Sequence, residues 1–244
     1  MRLRPVFQTI LAIIFFILVF PQVAMAVEFG PNSDKITNPY TPFKVGSWMF
    51  MQGFGPNWAN RIFYIHMIGK ETVSGAKIGE QVFNKVKCCT SHVIITDDGG
   101  GIRHEFFTFS VAQDTDGNVW VLKVYSHMAN VNILLGGEYF HSMFMPAVPA
   151  VGLPAGIKMP EDEQNYCRIV EIGIDSFTTM FGTFNDCIKV NCYDEDPDGT
   201  QVEYYCPDVG QVRTTPQANP TDFMDFKESG TSSLNRVIVI PLGQ

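Results

Sequence analysis

The sequence predicts an all-β protein: a predominantly antiparallel sheet, curved and open or closing into an incomplete barrel, built from meander hairpins and crossed once by a long apolar loop. Three observations carry this. Runs of alternating apolar and polar residues recur between residues 47 and 125, divided by turns rich in Gly, Asp and Asn, and a period of two belongs to a strand with one buried face. The alternation returns in residues 181–213, where Asp196-Pro197-Asp198-Gly199 has the chemistry of a type I hairpin turn with glycine in the left-handed position. Between these regions, residues 130–160 hold Gly136-Gly137 and Pro146, Pro149, Pro154 and Pro160. Proline donates no ladder hydrogen bond, so this stretch is expected to cover a sheet face or rim rather than run inside the sheet.

Taken in order, the chain begins with Arg2 and Arg4 before an apolar run over residues 5–20, ended by Pro21 and followed by Ala24-Met25-Ala26. The run is short for a membrane span and has small residues where a signal peptidase cuts. Residues 1–26 therefore read as a cleaved secretory signal that leaves no transmembrane span and sends the mature chain to the periplasm or beyond. Cleavage removes two of 17 basic residues and none of 25 acidic ones, so the mature net charge is −10. Nucleic acid is excluded as a partner, because phosphate binding requires clustered Lys and Arg. Residues 27–39 form an irregular lead-in. Residues 40–218 read as a single β domain, with strands expected near 49–51, 60–69, 76–87, 89–96, 102–111, 119–125 and 167–179; residues 76–87 also fit a short helix. Residues 219–244 are a polar tail whose Val237-Ile238-Val239-Ile240-Pro241 is expected to add an edge strand.

The hairpin of residues 181–213 organises the second half. A tight turn with Asp196 facing Thr200 pairs Asp194 with Val202, Cys192 with Tyr204 and Val190 with Cys206. Ile188, Val190, Cys192, Val202, Tyr204 and Cys206 then share an apolar face, and Lys189, Asn191, Tyr193 and Glu203 the wet one. Six cysteines in an exported chain are expected to be largely oxidised, although six permit fifteen connectivities. Cys192 and Cys206, on one face and two residues out of opposition, are the first candidate pair, brought together by a bulge. Cys88 and Cys89 are expected to seek distant partners, Cys167 among them, and Cys187 is left over.

Three stretches resemble a known group. Tyr40-Thr41-Pro42-Phe43-Lys44-Val45-Gly46-Ser47-Trp48, the turn Asp114-Thr115-Asp116-Gly117-Asn118-Val119-Trp120, and Gly182-Thr183-Phe184-Asn185-Asp186-Cys187-Ile188-Lys189-Val190 with Tyr204-Tyr205-Cys206-Pro207-Asp208-Val209-Gly210 are similar in order and spacing to exported, largely uncharacterised bacterial β-sheet proteins. Those carry a Tyr-Pro-x-x-x-Gly-x-x-Trp opening, an Asp-x-x-Gly-Asn-Val-Trp hairpin and a Gly-x-Phe-x-x-Cys closing strand. The resemblance implies an exported β-sheet fold and supplies no catalytic residues. The chain departs from the pattern at Thr41, at Asp208 and by cysteines at 88, 89, 167, 192 and 206, which reads as a disulfide-reinforced variant.

Composition and motifs point away from most enzymes: there is no Gly-x-Ser-x-Gly elbow and no phosphate-binding glycine loop before a helix. The leading functional reading is a non-enzymatic cell-envelope protein without a cofactor, which holds an apolar small molecule on a concave sheet face or docks an envelope protein. Residues 140–159, rich in Met and Phe, either line such a cavity or seal the core. A second reading is a thiol- or metal-dependent envelope enzyme using Cys88, Cys89 and His92. A third is a calcium-stabilised module, since Asp194, Asp196 and Asp198 stand at alternate positions before Gly199 as in a calcium loop, although Tyr205 occupies the twelfth position where such a loop needs glutamate.

Overall fold

The computed structural model describes residues 26–59, 61–78, 80–97, 103–128, 142–156, 166–193 and 200–231. The leader, Asp194, Asp196 and Asp198, and the Val237-to-Pro241 patch lie outside these residues. Among the described residues the chain is all strand and turn, and no helix is long and apolar enough to cross a membrane. After the lead-in come β1 (Ser47–Phe54), β2 (Ile62–Val73), β3 (Ala76–Ile78), β4 (Gln81–Phe83), β5 (Val86–Asp97), β6 (Arg103–Gln113), β7 (Val119–Met128) and β8 (Ser142–Met145). The second half supplies β9 (Tyr166–Ile174), β10 (Phe177–Thr178), β11 (Thr183–Phe184), β12 (Cys187–Tyr193), β13 (Gln201–Cys206), β14 (Gly210–Pro216) and β15 (Phe223–Thr231).

Eleven strands form one antiparallel sheet in the order β8-β7-β6-β5-β2-β1-β15-β14-β13-β12-β9, not closed into a barrel; β3-β4 and β10-β11 are separate two-stranded hairpins. The expected fold class is thus the observed one. Each half is a meander of near neighbours, and the halves join where β1 pairs β15. Residues after Asn219, read as a tail, supply that junction strand. The polar look of Phe223–Thr231 (FMDFKESGT) conceals it, because Asp225 is fully buried and Lys227, Glu228 and Ser229 are exposed.

The broader apolar face of this eleven-stranded sheet is covered by the sheet itself. Curling brings Ile65, Met67, Val93, Phe109, Val111 and Val121 from the first half against Ile169, Ile188, Val190 and Tyr205 from the second, in one buried cluster. Phe144 of β8 meets Tyr205 of β13 edge-on, ring centroids 6.2 Å apart. One end of this interior is plugged by the lead-in: Ile36, Tyr40 and Phe43 pack into the cluster, and Phe43 contacts the rings of Phe109 (5.9 Å) and Phe144 (5.6 Å).

The seam between edge strands β8 and β9 is bridged by residues 152–156. Gly156 N–H donates to Phe144 O (2.9 Å) on the β8 side, while Ala155 N–H donates to Cys167 O (3.1 Å) and Ile169 N–H to Leu153 O (3.0 Å) on the β9 side. Residues 152–156 thus lie at the rim as expected of the proline-rich crossover, but Ser142–Met145 run in the sheet as edge strand β8; Phe144, Met145 and Ala155 are buried, whereas Val148, Val151 and Leu153 are exposed. Gly156, at φ +96, lies so close to Cys167 that a Cβ there would stand 2.7 Å from Sγ, which only glycine tolerates.

Two buried carboxylates organise the turns. Asp114 accepts from the backbone N–H of Asp116 (3.0 Å) and Asn118 (2.8 Å), from Asn118 Nδ2 (2.9 Å) and from the Trp120 indole (2.7 Å). Asp225 accepts a fork from Arg213 (2.6 and 2.8 Å) and the N–H of Met180 (2.7 Å), which clamps the β10-β11 hairpin onto the outer face. There Arg213 lies over Phe223 (4.7 Å) and Phe177 (5.3 Å). Asp225→Ala leaves the partly exposed Arg213 guanidinium and the Met180 N–H without their acceptor, so it is expected to lower stability by about 3 kcal/mol in urea titration. A loss below about 1 kcal/mol would show that ring stacking, not the carboxylate, places the hairpin.

Candidate functional site

The cysteines separate into two classes. Cys187 bonds to Cys206 and Cys167 to Cys192, while Cys88 and Cys89 are free and buried. The expected Cys192–Cys206 pair is therefore corrected, as are the expected bridging of Cys88 and Cys89 and the spare Cys187. The reason is the register of the hairpin. Cys192 faces Gln201, Val190 faces Glu203 and Ile188 faces Tyr205, a slip of three residues from the tight-turn register. Carried one step further, that register sets Cys187 directly across from Cys206, and Cys192 stands across from Cys167 of β9. Both bridges thus join directly opposed residues, at opposite ends of β12.

A slip by an odd number exchanges the faces of one strand relative to the other. Val202, Tyr204 and Cys206 therefore share a face with Lys189 and Asn191, and Glu203 and Tyr205, the former assigned from sequence to the wet side, turn toward the interior with Val190. The gain is burial of the Tyr205 ring among Ile188, Val190 and Phe144.

Cys88 and Cys89 occupy consecutive positions of β5 and so point to opposite faces. Cys89 lies in the interior cluster; Cys88 lies under the β3-β4 hairpin with Phe83, Trp120 and Leu122. Near Cys88, Glu71 accepts from Ser110 Oγ and pairs with Lys123 (2.8 Å). Burial pushes the Cys88 thiol up to about 12, with Glu71 adding to it, and the Cys89 thiol up to about 11 against the opposing pull of Lys70. His92 stands four positions along the strand from Cys88, roughly 13 Å away, and faces His66 on β2. Thiol and imidazole are not brought together. Among the described residues no three His, Cys, Asp or Glu side chains are grouped to hold a metal ion.

The chemically distinctive place is the part of the interior whose apolar lining is not fully covered. Met49, Phe63, Val124, Cys167 and Cys192 pack against the central cluster there but keep part of their surface accessible. On the inward face of β13, between Val190 and Thr214, Glu203 is surrounded by protein yet partly accessible. Tyr205 Oη donates to Glu203 Oε2 (2.7 Å), and the Gln211 side chain hydrogen-bonds the same carboxyl. Thr214, directly opposite Glu203 on β14, is 4% exposed, and its hydroxyl has no hydrogen-bond partner. The ion pairs of Lys70 with Asp34, Lys123 with Glu71 and Arg213 with Asp225 do not reach Glu203. Burial raises the Glu203 pKa, and the bonds from Tyr205 and Gln211 offset this only in part. Burial and the neighbouring carboxylate likewise raise that of Tyr205.

No family model matches the chain, and no curated protein matches it significantly. Among solved structures it is similar to the crystal structure of "a putative lipoprotein from Parabacteroides distasonis ATCC 8503", at 15% identity and a TM-score of 0.42, over 80% of this chain and all of that one.

Two outcomes follow from these environments. In the unreduced native protein, Cys88 and Cys89 are expected to resist alkylation at pH 7 and to be labelled only on unfolding, while peptide mapping returns Cys167–Cys192 and Cys187–Cys206; rapid native labelling of either thiol overturns this. A carboxyl whose pKa is raised by folding favours the native state below its unfolded pKa of about 4 and loses that contribution as pH rises through its folded value. Glu203→Gln, which stays neutral, is therefore expected to gain stability over the parent at pH 7, with the difference closing below about pH 4 in paired urea titrations.

Proposed function

We propose that this is an exported, non-enzymatic binding protein of the cell envelope that holds an apolar molecule between the two halves of its curled sheet. The observation that carries the reading is the incompletely covered apolar lining of the interior. The lead-in packs into it through Ile36, Tyr40 and Phe43, and Met49, Phe63, Val124 and the Cys167–Cys192 bridge line it without being fully covered. Apolar side chains that pack on a core yet keep accessible surface are what an apolar ligand would complete. The leader sequence and two disulfides fit an oxidising compartment. The burial of Cys88 and Cys89, their raised pKa values and their distance from an imidazole favour binding over thiol chemistry.

The test is fluorescence titration with N-phenyl-1-naphthylamine, a neutral apolar probe. The expected result is saturable binding of one equivalent, weakened at least tenfold by Val124→Trp, which fills the space, with the fold intact by circular dichroism. Absent or non-saturable binding, or binding indifferent to Val124→Trp, overturns the proposal.

A further inference from the structure

We infer that the apolar molecule this interior accepts carries a protonated amine, held by Glu203. The inference rests on the reading of the interior as a binding site and adds the chemistry of its occupant. Glu203 is a carboxyl on an inward face, between Val190 on β12 and Thr214 on β14. Among the described residues its neighbours are neutral: Tyr205 and Gln211 hydrogen-bond to it, and Val190 stands directly across from it on β12. A buried carboxylate is ordinarily retained with a cation beside it, because desolvating the charge alone is expensive. Here the described residues supply donors but no cation, and Thr214, directly opposite on β14, brings a second polar group, 4% exposed and unpartnered. A carboxylate already fixed by two neutral donors retains lone pairs for a third, and the Thr214 hydroxyl can accept from the same donor.

An ammonium group satisfies this arrangement best. It has three N–H donors, enough to reach both Glu203 and Thr214, and its charge compensates the carboxylate. A fatty acid would set a second negative charge beside Glu203, and a simple alcohol would leave the charge uncompensated. The apolar side chains Met49, Phe63 and Val124 then accept the hydrocarbon portion. The predicted occupant is a long-chain or aromatic amine rather than a fatty acid or neutral lipid.

The experiment compares decylamine, decanol and decanoate as competitors of N-phenyl-1-naphthylamine, below their micelle concentrations, on the full-length mature protein and on Glu203→Gln. The amine is expected to displace the probe at least tenfold more tightly than the alcohol, and decanoate least well. In Glu203→Gln the amine and alcohol are expected to converge within about twofold, with alcohol affinity unchanged. Equal affinity of amine and alcohol for the parent protein, or a preference that survives Glu203→Gln, overturns the assignment of the amine while leaving an apolar site standing. Failure of all three compounds and of the probe to bind overturns the site itself. If Glu203→Gln does not fold, the ranking on the parent decides alone.

Discussion

The constraint on which this structure depends is geometric. A chain that builds nearly everything into one eleven-stranded sheet has one broad apolar face that the sheet itself must cover, while smaller apolar patches on the other face lie under the β3-β4 and β10-β11 hairpins. The sheet must curl until its two wings meet, and the contact of Phe144 with Tyr205 is where they do. Other features serve that contact. The lead-in plugs one end of the enclosed space, and residues 152–156 tie the two free edges by backbone hydrogen bonds. The exposed remainder of edge strand β9 is blunted by register shifts against β12 and by Gly173 at φ +67, common protections of a free edge against another chain.

Polar groups buried along the way have structural explanations that their sequence motifs half announced. The Asp-x-x-Gly-Asn-Val-Trp turn is held by a single carboxylate, Asp114, which collects backbone, amide and indole donors; Asn118 in turn accepts from Ala147 N–H (2.9 Å), joining the turn to the crossover. Tyr40, in the opening motif, donates to Asp186 O (3.0 Å) and so links the first described segment to the start of β12. Trp48 lies flat against Gly230, where a Cβ would come within 2.8 Å of the indole, so an aromatic side chain covers a glycine that packs nothing of its own. None of these contacts presents a reactive group to solvent; Glu203, like Asp114, is held by neutral donors among the described residues, but by Tyr205 and Gln211 alone where Asp114 collects four hydrogen bonds.

Fold class and most strands were legible because alternation with a period of two is strong and local, and the turn at Asp114 to Asn118 announced itself by composition. What the sequence concealed was non-local. The register of β12 against β13 depended on a connection longer than Asp-Pro-Asp-Gly suggests and on which cysteines could oppose each other. An odd slip in that register moved Glu203 from the wet face to the interior, so the residue central to the candidate site was read as surface. β15 was missed for a related reason: Asp225, Lys227, Glu228 and Ser229 look like a tail until Arg213, far from them in the chain's local pattern, arrives to pair with Asp225. Cys88 and Cys89 looked reactive because adjacency and a nearby histidine in sequence say nothing of opposite faces or of depth.

The junction of β1 with β15 has a bearing on how such a chain folds. The first and last strands described here are neighbours at the centre of the sheet, and the two wings share no other strand pairing. The central pairing therefore closes a loop of nearly the whole described chain, and pairings of such sequence separation are intrinsically slow. Until the last strand has emerged, each wing remains a meander with an uncovered apolar face and an unpaired central edge. A chain arranged this way commits to its native form only once β15 is available to pair with β1.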